Sequence, residues 1–180
     1  MPDVGEAVGL SLFGRELELK QLADLISGVR DRGGALFLSG EAGIGKSALL
    51  AEAGALATTA GLRVMRTSGA EAEQHLPLAG LHQILYPIRS GLDALPTPQR
   101  DALQSAMGLA DSAVPDLYLV GLAVLNVLAE LAAETPVVLI AEDVHWLDQV
   151  SADVLAFVAR RLESEPILLI AAGRDCAHRR

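Results

Sequence analysis

The sequence predicts an α/β fold in which a parallel sheet is covered by helices on both faces, organised as one domain over residues 1–180. Three short apolar runs, ALFLS at 35–39, PVVLIA at 136–141 and ILLIAA at 167–172, have the composition of strands that are buried on both faces. Stretches with apolar residues at helical spacing separate them, and this alternation is typical of a parallel sheet. Such sheets bind ligands at the carboxyl ends of their strands.

The first half of the chain predicts a helix, a strand, a second helix and a second strand. The first helix lies in ELELKQLADLISGVRDRGG and ends at Gly33-Gly34. ALFLS is the first strand, and SALLAEAGALATTA is a helix that Gly61 closes. LRVMRT at 62–67 alternates apolar and polar residues, which predicts a half-exposed strand at a sheet edge. The apolar face of the first helix is formed by Leu22, Leu25, Ile26 and Val29.

The second half of the chain predicts mainly helices before the last two strands. Residues 70–134 show no strand pattern and contain three predicted helices. The first follows Pro77, the second has Thr97 as its N-cap and Pro98 at its first helical position, and the third, DLYLVGLAVLNVLAELAAE at 116–134, is long and mostly buried. Asp148 is placed to cap a last helix. Its apolar face comprises Val154, Leu155, Val158 and Leu162.

Composition excludes some classes of function. The formal net charge is -9, whereas nucleic-acid affinity comes largely from Lys and Arg, so we expect no direct nucleic-acid binding by this chain. Cys176 is the only cysteine, which fits a reducing compartment, and the N-terminus lacks the basic residues of a secretory signal. The apolar run Leu117–Ala129 is shorter than the roughly 20 residues that span a bilayer. The sequence therefore predicts a soluble cytoplasmic protein without a membrane segment.

A glycine-rich loop follows the first buried strand and precedes a helix. GEAGIGKS, from Gly40 to Ser47, matches the pattern G-x-x-x-x-G-K-[ST]. Glycines let backbone N–H groups approach phosphate oxygens closely, and the helix N-terminus adds partial positive charge. In this pattern the lysine, Lys46, reaches the β- and γ-phosphates and the Ser47 hydroxyl ligates Mg²⁺. The alternative is a glycine-rich turn that only begins a helix.

Two adjacent carboxylates, Glu142 and Asp143, end the second buried strand. A phosphate loop with Mg²⁺ needs an acidic residue at the tip of a neighbouring strand. Glu142 aligns with the usual metal-side acid and Asp143 with the acid that orients the attacking water, although the two roles can be exchanged. The alternative is a pair of solvated acids at a strand end. The sequence thus predicts that residues 40–47 and 142–143 meet around a metal-bound nucleotide.

Further polar residues near the strand ends have simpler explanations. His145 beside Trp146 is more typical of packing and hydrogen bonding than of catalysis, and helix capping suffices to explain Asp148. Arg174 follows the third buried strand, where an arginine can contact the γ-phosphate or can belong to a basic tail with His178, Arg179 and Arg180.

Four strings resemble one protein family when they are taken together: LFGRELELKQL, GEAGIGKSALL, IAEDVHWLDQVS and LLIAAGRD. They are similar to the ATPase module of the STAND class of signal-transducing P-loop NTPases, an AAA-type ATPase. The closest resemblance is to the large ATP-binding bacterial regulators of the LuxR type, the maltose-activator-like proteins. The resemblance runs from about Leu12 to Asp175. It implies a three-layer P-loop NTPase fold with the strand order 5-1-4-3-2.

The resemblance also implies roles for individual residues. Phe13-Gly14-Arg15-Glu16 lies over the adenine side, and Glu142 and Asp143 are the Walker B acids. Lys46, Glu142, Asp143 and Arg174 are then the catalytic candidates, with Arg174 at the sensor-1 position, and Ser47 and Glu142 are the metal ligands. The candidate nucleotide-binding residues are Arg15, Gly40, Glu41, Ala42, Gly43, Ile44, Gly45, Lys46, Ser47 and Ala48.

A protein of this family binds ATP or ADP with Mg²⁺, changes conformation or assembles with further copies of itself, and hydrolyses ATP slowly to reset. Alternatives are a plain turnover ATPase or kinase, the same module attached to a nucleotide cyclase or kinase output, and a nucleotide-free interaction module. Intact Gly40, Lys46 and Ser47, together with the two acids Glu142 and Asp143, argue against the last of these.

One departure from the family concerns the sheet. The sequence shows only four strands, and the absent fifth would flank ALFLS, which would leave that apolar strand at an exposed edge. The lid subdomain, the sensor domain and the DNA-binding helix-turn-helix of the family are not found in this sequence either. We therefore expect an N-terminal fragment of a longer regulator, in which DNA binding belongs to another part.

Overall fold

A computed structural model describes residues 14–108 and 116–174 of the chain. The strands are β1 (Gly34–Ser39), β2 (Arg63–Ser68), β3 (Val137–Glu142) and β4 (Ile167–Gly173). The α-helices are α1 (Glu16–Gly28), α2 (Lys46–Thr59), α3 (Ala79–Leu85), α4 (Thr97–Ala106), α5 (Leu117–Glu134) and α6 (Gln149–Ala159). Shorter 3-10 segments occupy Glu71–Glu73, Tyr86–Ala94 and Val144–Trp146.

The four strands form one parallel sheet in the order β1-β4-β3-β2. The predicted α/β class is therefore confirmed, and the order agrees with 5-1-4-3-2 without its fifth member. Side chains of β3 alternate between two apolar layers: Leu139 packs with α3 to α6, and Ile140 packs with α1 and α2. The sheet is the middle of three layers, because both of its faces carry helices.

Burial along the strands follows their positions in the sheet. β3 is buried almost throughout and β4 nearly so, as predicted. β2 lies at one edge, as predicted for LRVMRT. The expectation that ALFLS is buried on both faces is wrong, because β1 forms the other edge and alternates between exposed and partly buried residues. The expectation that this strand lies at an exposed edge when the fifth strand is missing is confirmed. Phe37 in β1 is 54% exposed.

The first helix is shorter than its sequence pattern suggests. α1 ends at Gly28 rather than at Gly33-Gly34. Leu22, Ile26 and Val29 are buried as expected, but Leu25 is 41% exposed, because it lies at the margin of the apolar stripe. Gly33 allows two backbone segments to approach closely instead of ending the helix, because a Cβ there would collide with the backbone oxygens of Leu162, Glu165 and Ile167.

The middle region is helical within its described residues. Thr97 does not cap α4, contrary to expectation, since no side chain caps this helix and the Thr97 hydroxyl accepts a bond from Arg100 Nη2 instead (3.4 Å). Asp116 does cap α5, and its carboxylate accepts bonds from the amides of Tyr118 and Leu119. Asp148 caps α6 as predicted, through the amide of Ser151.

The length of helix α5 corrects the expectation that this apolar run is too short to span a bilayer. It comprises 18 residues with a mean hydropathy of 1.7, so among the described residues it is the one helix whose length and composition would allow it to cross a membrane. One such helix is weak evidence, since a core helix passes the same test. Buried residues along α5, among them Val120, Val124 and Leu128, pack into the apolar layer formed with α3, α4 and α6.

Candidate functional site

The phosphate loop connects the edge strand β1 to helix α2. Gly43 and Gly45 have φ angles of 79° and 97°, a backbone region that disfavours side chains. A Cβ at either glycine would meet no atom within 4 Å, so both face open space. Lys46 is the first residue of α2, and the helix N-terminus therefore points into the loop.

The lysine of the loop bonds to the loop itself. Lys46 Nζ donates to the carbonyl oxygens of Gly40 (2.8 Å) and Glu41 (2.7 Å). Arg15, predicted on the adenine side, donates from Nη2 to the Ile44 carbonyl oxygen (2.8 Å) and from Nη1 to Glu18 (2.6 Å). The Arg15 guanidinium lowers the pKa of the Glu18 carboxyl. The start of α1 is thus fastened to the phosphate loop.

A cleft of about 260 Å³ lies where the three strands β1, β3 and β4 end. Its lining combines the loop after β1, the residue after β3 and the residue after β4: Ala42, Gly43, Gly45, Lys46, Ser47, Asp143 and Arg174. The predicted meeting of the glycine loop and the acidic strand end is therefore present in the fold. Two cations and one carboxylate line this cleft, an arrangement suited to an anionic ligand that carries a metal ion.

The two adjacent acids face different surroundings. Asp143 has a φ of 46°, and it is Asp143 that lines the cleft. Glu142 is the last residue of β3, and its Oε1 pairs with Arg66 Nη1 of β2 (3.3 Å). Arg66 occupies a notch at Gly54 of α2, since a Cβ there would collide with its guanidinium.

The oxygen atoms at the cleft fit Mg²⁺, which prefers carboxylate and hydroxyl ligands with several waters. Ser47 and Asp143 both line the cleft, and among the described residues no cluster of three or more His, Cys, Asp or Glu exists that could hold another metal ion. The assignment of Glu142 as the metal ligand remains a prediction. The position of Asp143 favours the exchanged roles.

His145 and Trp146 lie in the 3-10 segment beside the cleft. Both ring nitrogens of His145 are buried without a hydrogen-bond partner. Burial lowers the pKa of His145, Arg174 and Lys46 lower it further, and Asp143 opposes them. The His145 and Trp146 rings are 5.1 Å apart, and Arg174 Cζ lies 6.0 Å from the Trp146 ring. These ring contacts agree with the predicted packing, but the predicted hydrogen bonding of the His145 ring is wrong, since neither ring nitrogen has a partner.

Asp148 makes more contacts than a helix cap needs. The residue is 3% exposed. Its Oδ1 accepts bonds from the amides of Leu78 (2.8 Å) and Ser151 (2.9 Å), and its Oδ2 accepts one from the Gly80 amide (3.1 Å). Burial alone would raise the pKa of Asp148, but its bonds with Ser151, Gly80 and Leu78 outweigh this and lower it from the ordinary value of 3.8.

The remaining candidates lie around the cleft without lining it. Gly40 and Glu41 contribute carbonyl oxygens to Lys46, Ile44 is 49% exposed at the loop, and Ala48 is half-buried in the first turn of α2. Phe13 and residues 175–180 lie outside the described residues.

Sequence reasoning missed two groups of contacts: the pairing of Arg66 with Glu142, and the bonds from Asp148 to the start of α3. The polar position of Arg66 within LRVMRT was a usable signal for the first, because β2 neighbours β3.

Comparisons with known proteins agree with this geometry. A family model described as the AAA ATPase domain matches residues 11–170. An uncharacterized protein of Rhizobium meliloti (strain 1021) is 30% identical over 205 aligned positions, which cover 93% of this chain and 19% of that protein. The chain therefore spans about a fifth of the length of that relative.

A solved structure shares the fold. The Aeropyrum pernix ORC2 protein, described in ADPNP-ADP complexes, superposes with a TM-score of 0.51 at 16% sequence identity. The similarity covers 91% of this chain and 42% of that chain, so this chain spans less than half of it. At this identity the likeness demonstrates the fold alone.

Replacing Asp148 by Asn is expected to lower the free energy of unfolding by about 2–4 kcal/mol at pH 7, because an amide NH₂ group would face a buried N–H donor. The folded pKa of Asp148 lies below 3.8, so the stabilisation by the carboxylate is fully present above that value. It is lost as the pH falls through 3.8 and then through the lower folded pKa. Urea unfolding at pH 7, 5 and 3 measures the difference between the two proteins.

Asp116→Asn is the matched control, because Asp116 caps α5 at an exposed position and Asn is an equally good cap. It should change the free energy of unfolding by less than about 1 kcal/mol at each pH. A loss for Asp148→Asn that is the same at pH 3 and pH 7 contradicts the prediction.

Proposed function

The chain belongs to the AAA ATPase domain family, and we propose that it is an Mg²⁺-dependent ATP- and ADP-binding switch module of a larger bacterial transcriptional regulator of the LuxR type. Slow hydrolysis of ATP returns the module to its ADP-bound state. The STAND class and the regulatory role rest on the resemblance of the four sequence strings described above.

The observation that carries the proposal is the cleft at the carboxyl edge of the sheet. Lys46 and Ser47 enter it from the phosphate loop, Asp143 from the end of β3 and Arg174 from the end of β4. A turn that only begins a helix would not require an acid and an arginine from two other strands at the same place. A triphosphate with Mg²⁺ matches this distribution of charge.

Each residue then has a chemical task. The backbone amides of the loop and the N-terminus of α2 bind phosphate oxygens, and Lys46 exchanges its bonds to Gly40 and Glu41 for bonds to phosphate. Ser47 and an acid from the end of β3 hold Mg²⁺, which neutralises phosphate charge when it is bound. We assign a contact with the γ-phosphate to Arg174, because this residue lines the same cleft.

Two contacts favour a switch over rapid turnover. Glu142, one of the two acids proposed for catalysis, pairs with Arg66 and does not line the cleft. Lys46 is likewise engaged by its own loop. Nucleotide binding changes at least the Lys46 contacts. The nucleotide therefore has different affinities for the arrangement in which Lys46 bonds to its own loop and the arrangement in which Lys46 bonds to phosphate, and it shifts the population between these two arrangements.

The larger context is part of the same proposal. A relative about five times as long as this chain leaves room for sensor and output domains. With a net charge of -9, this module is poorly suited to contact DNA itself. We assign DNA binding to another domain, self-association to the full-length protein, and the cytoplasm as its location.

Lys46→Ala should abolish nucleotide binding, with a loss of about 100-fold or more in affinity, because it removes the one lysine that reaches the phosphates. Isothermal titration with ATP or ADP and Mg²⁺ measures the effect. Lys20, the only other lysine of the chain, is exposed on α1 and gives the matched control Lys20→Ala, which should bind normally. Full affinity in Lys46→Ala would falsify the site.

Asp143→Asn should raise the Mg²⁺ concentration needed for tight ATP binding by about tenfold, because a carboxylate ligand becomes neutral. Glu142→Gln, the matched change at the neighbouring acid, should raise it less, since Glu142 faces Arg66. Titration of Mg²⁺ at fixed ATP, followed by the fluorescence of Trp146, the single tryptophan, compares the two. A larger effect in Glu142→Gln assigns the metal to that acid.

Steady-state hydrolysis should be well below the roughly 10 per second of a typical enzyme, because a switch must persist in its ATP-bound state. A coupled phosphate-release assay on the unmodified chain measures the rate, with Lys46→Ala as the blank. Turnover of many per second would favour the plain ATPase over the switch.

A further inference from the structure

We infer that Asp148 is a positioning residue that couples the acidic loop, residues 143–148 after β3, to helix α3. A metal-bound nucleotide at Asp143 then changes the local stability of α3. The inference rests on the proposed function, and it adds the path by which the nucleotide acts on the rest of the fold. It starts from the contacts of Asp148, which serve two chain segments at once.

The Asp148 carboxylate holds three backbone amides. One belongs to Ser151 in α6 and satisfies the helix cap. The other two belong to Leu78 and Gly80 at the start of α3, some 70 residues away in sequence. An ordinary cap binds only its own helix, as Asp116 does with Tyr118 and Leu119. The additional two bonds therefore join α3 to the loop that carries Asp143.

A second set of bonds makes this junction stiff. Ser151 Oγ accepts from the Leu81 amide (2.9 Å), and Thr67 Oγ1 of β2 donates to the Gly80 carbonyl oxygen (2.9 Å). Gly80 fits closely, because a Cβ there would lie 2.6 Å from Leu147 Cδ2. Leu78 has a φ of 68°, a strained backbone that its surroundings must hold in place.

The acidic loop is held from the other side as well. The Gly69 amide donates to the Glu142 carbonyl oxygen (3.0 Å), and a Cβ at Gly69 would collide with the backbone of Asp143 and Trp146. Gln74 Nε2 donates to the His145 carbonyl oxygen (3.4 Å). Movement of Asp143 toward or away from the phosphate loop therefore acts on segments that are bonded to α3.

The test separates capping from coupling. Asp148→Ser keeps an oxygen that can cap α6 through the Ser151 amide, but it is too short to serve Leu78 and Gly80 together. Asp116→Ser makes the same change at a cap remote from the cleft. Ser151→Ala, a smaller change, removes the hydroxyl that accepts from the Leu81 amide and that also bonds to the Asp148 carboxylate, and it provides a second test of the same junction.

Two measurements are made on each protein. The first is the Mg²⁺ concentration that half-saturates ADP binding, which should rise about tenfold in Asp148→Ser while ADP affinity without Mg²⁺ stays the same. The second is hydrogen exchange of His82–Leu85, whose amides do not bond to Asp148 or Ser151. In the unmodified chain, Mg²⁺ and ADP should alter this exchange by about threefold or more, and in Asp148→Ser and Ser151→Ala the response should be reduced or absent.

The outcomes are distinguishable. Loss of the α3 response in the two variants, with Asp116→Ser behaving as the unmodified chain, supports the coupling. A normal Mg²⁺ requirement together with a normal α3 response in Asp148→Ser overturns it and leaves nucleotide binding intact. If the unmodified chain does not bind ADP with Mg²⁺, the proposed function and the coupling both fail. If it binds but α3 does not respond, only the coupling fails.

Discussion

The structure depends on one geometric constraint: in a parallel sheet, every strand ends at the same edge. β1, β3 and β4 are adjacent in the order β1-β4-β3, so the segments that follow them converge although they are far apart in sequence. This convergence brings Lys46, Asp143 and Arg174 to one cleft. Asp143 is exposed at the end of an apolar strand, and it lines the same cleft as these two cations. The charge pattern of the site therefore follows from topology, and the glycine loop adapts the backbone to an anionic ligand.

Much of this arrangement can be predicted from sequence, because local chemistry determines it. The apolar runs that became β3 and β4, the half-exposed β2, the glycine loop and the cap at Asp148 all follow from residue type and spacing. The errors share a cause, which is that burial is decided by neighbours. β1 has the composition of a central strand but lies at an edge, and Leu25 has helical spacing but lies outside the contact with the sheet. Neither fact is visible in the composition of the segment itself.

The two acids show most clearly where sequence reasoning stops. Along β3, side chains alternate between the two faces, and Glu142 continues the face of Val138 and Ile140, where Arg66 meets it. Asp143 leaves the strand with a positive φ, which redirects its side chain to the cleft. A motif aligned by order alone assigns the first acid to the metal, but the direction of the Asp143 carboxylate depends on a backbone angle that such an alignment does not contain. That angle is held by the close approach of Gly69 to Asp143 and Trp146.

Backbone strain is concentrated at the start of the acidic loop after β3 and at a residue that is bonded to the end of this loop. Among the described residues, Leu78 and Asp143 are the two non-glycine positions with positive φ, and Asp148, which follows Asp143 by five residues, accepts a bond from the Leu78 amide. Each such conformation costs on the order of 1–3 kcal/mol, and it persists only where surrounding contacts hold it. A ligand that adds a bond to Asp143 changes the balance of those contacts by a similar amount. Because the part-buried Leu78 amide and the buried Gly80 amide would both lose their acceptor, the change is more easily met by moving α3 than by breaking its bonds to Asp148.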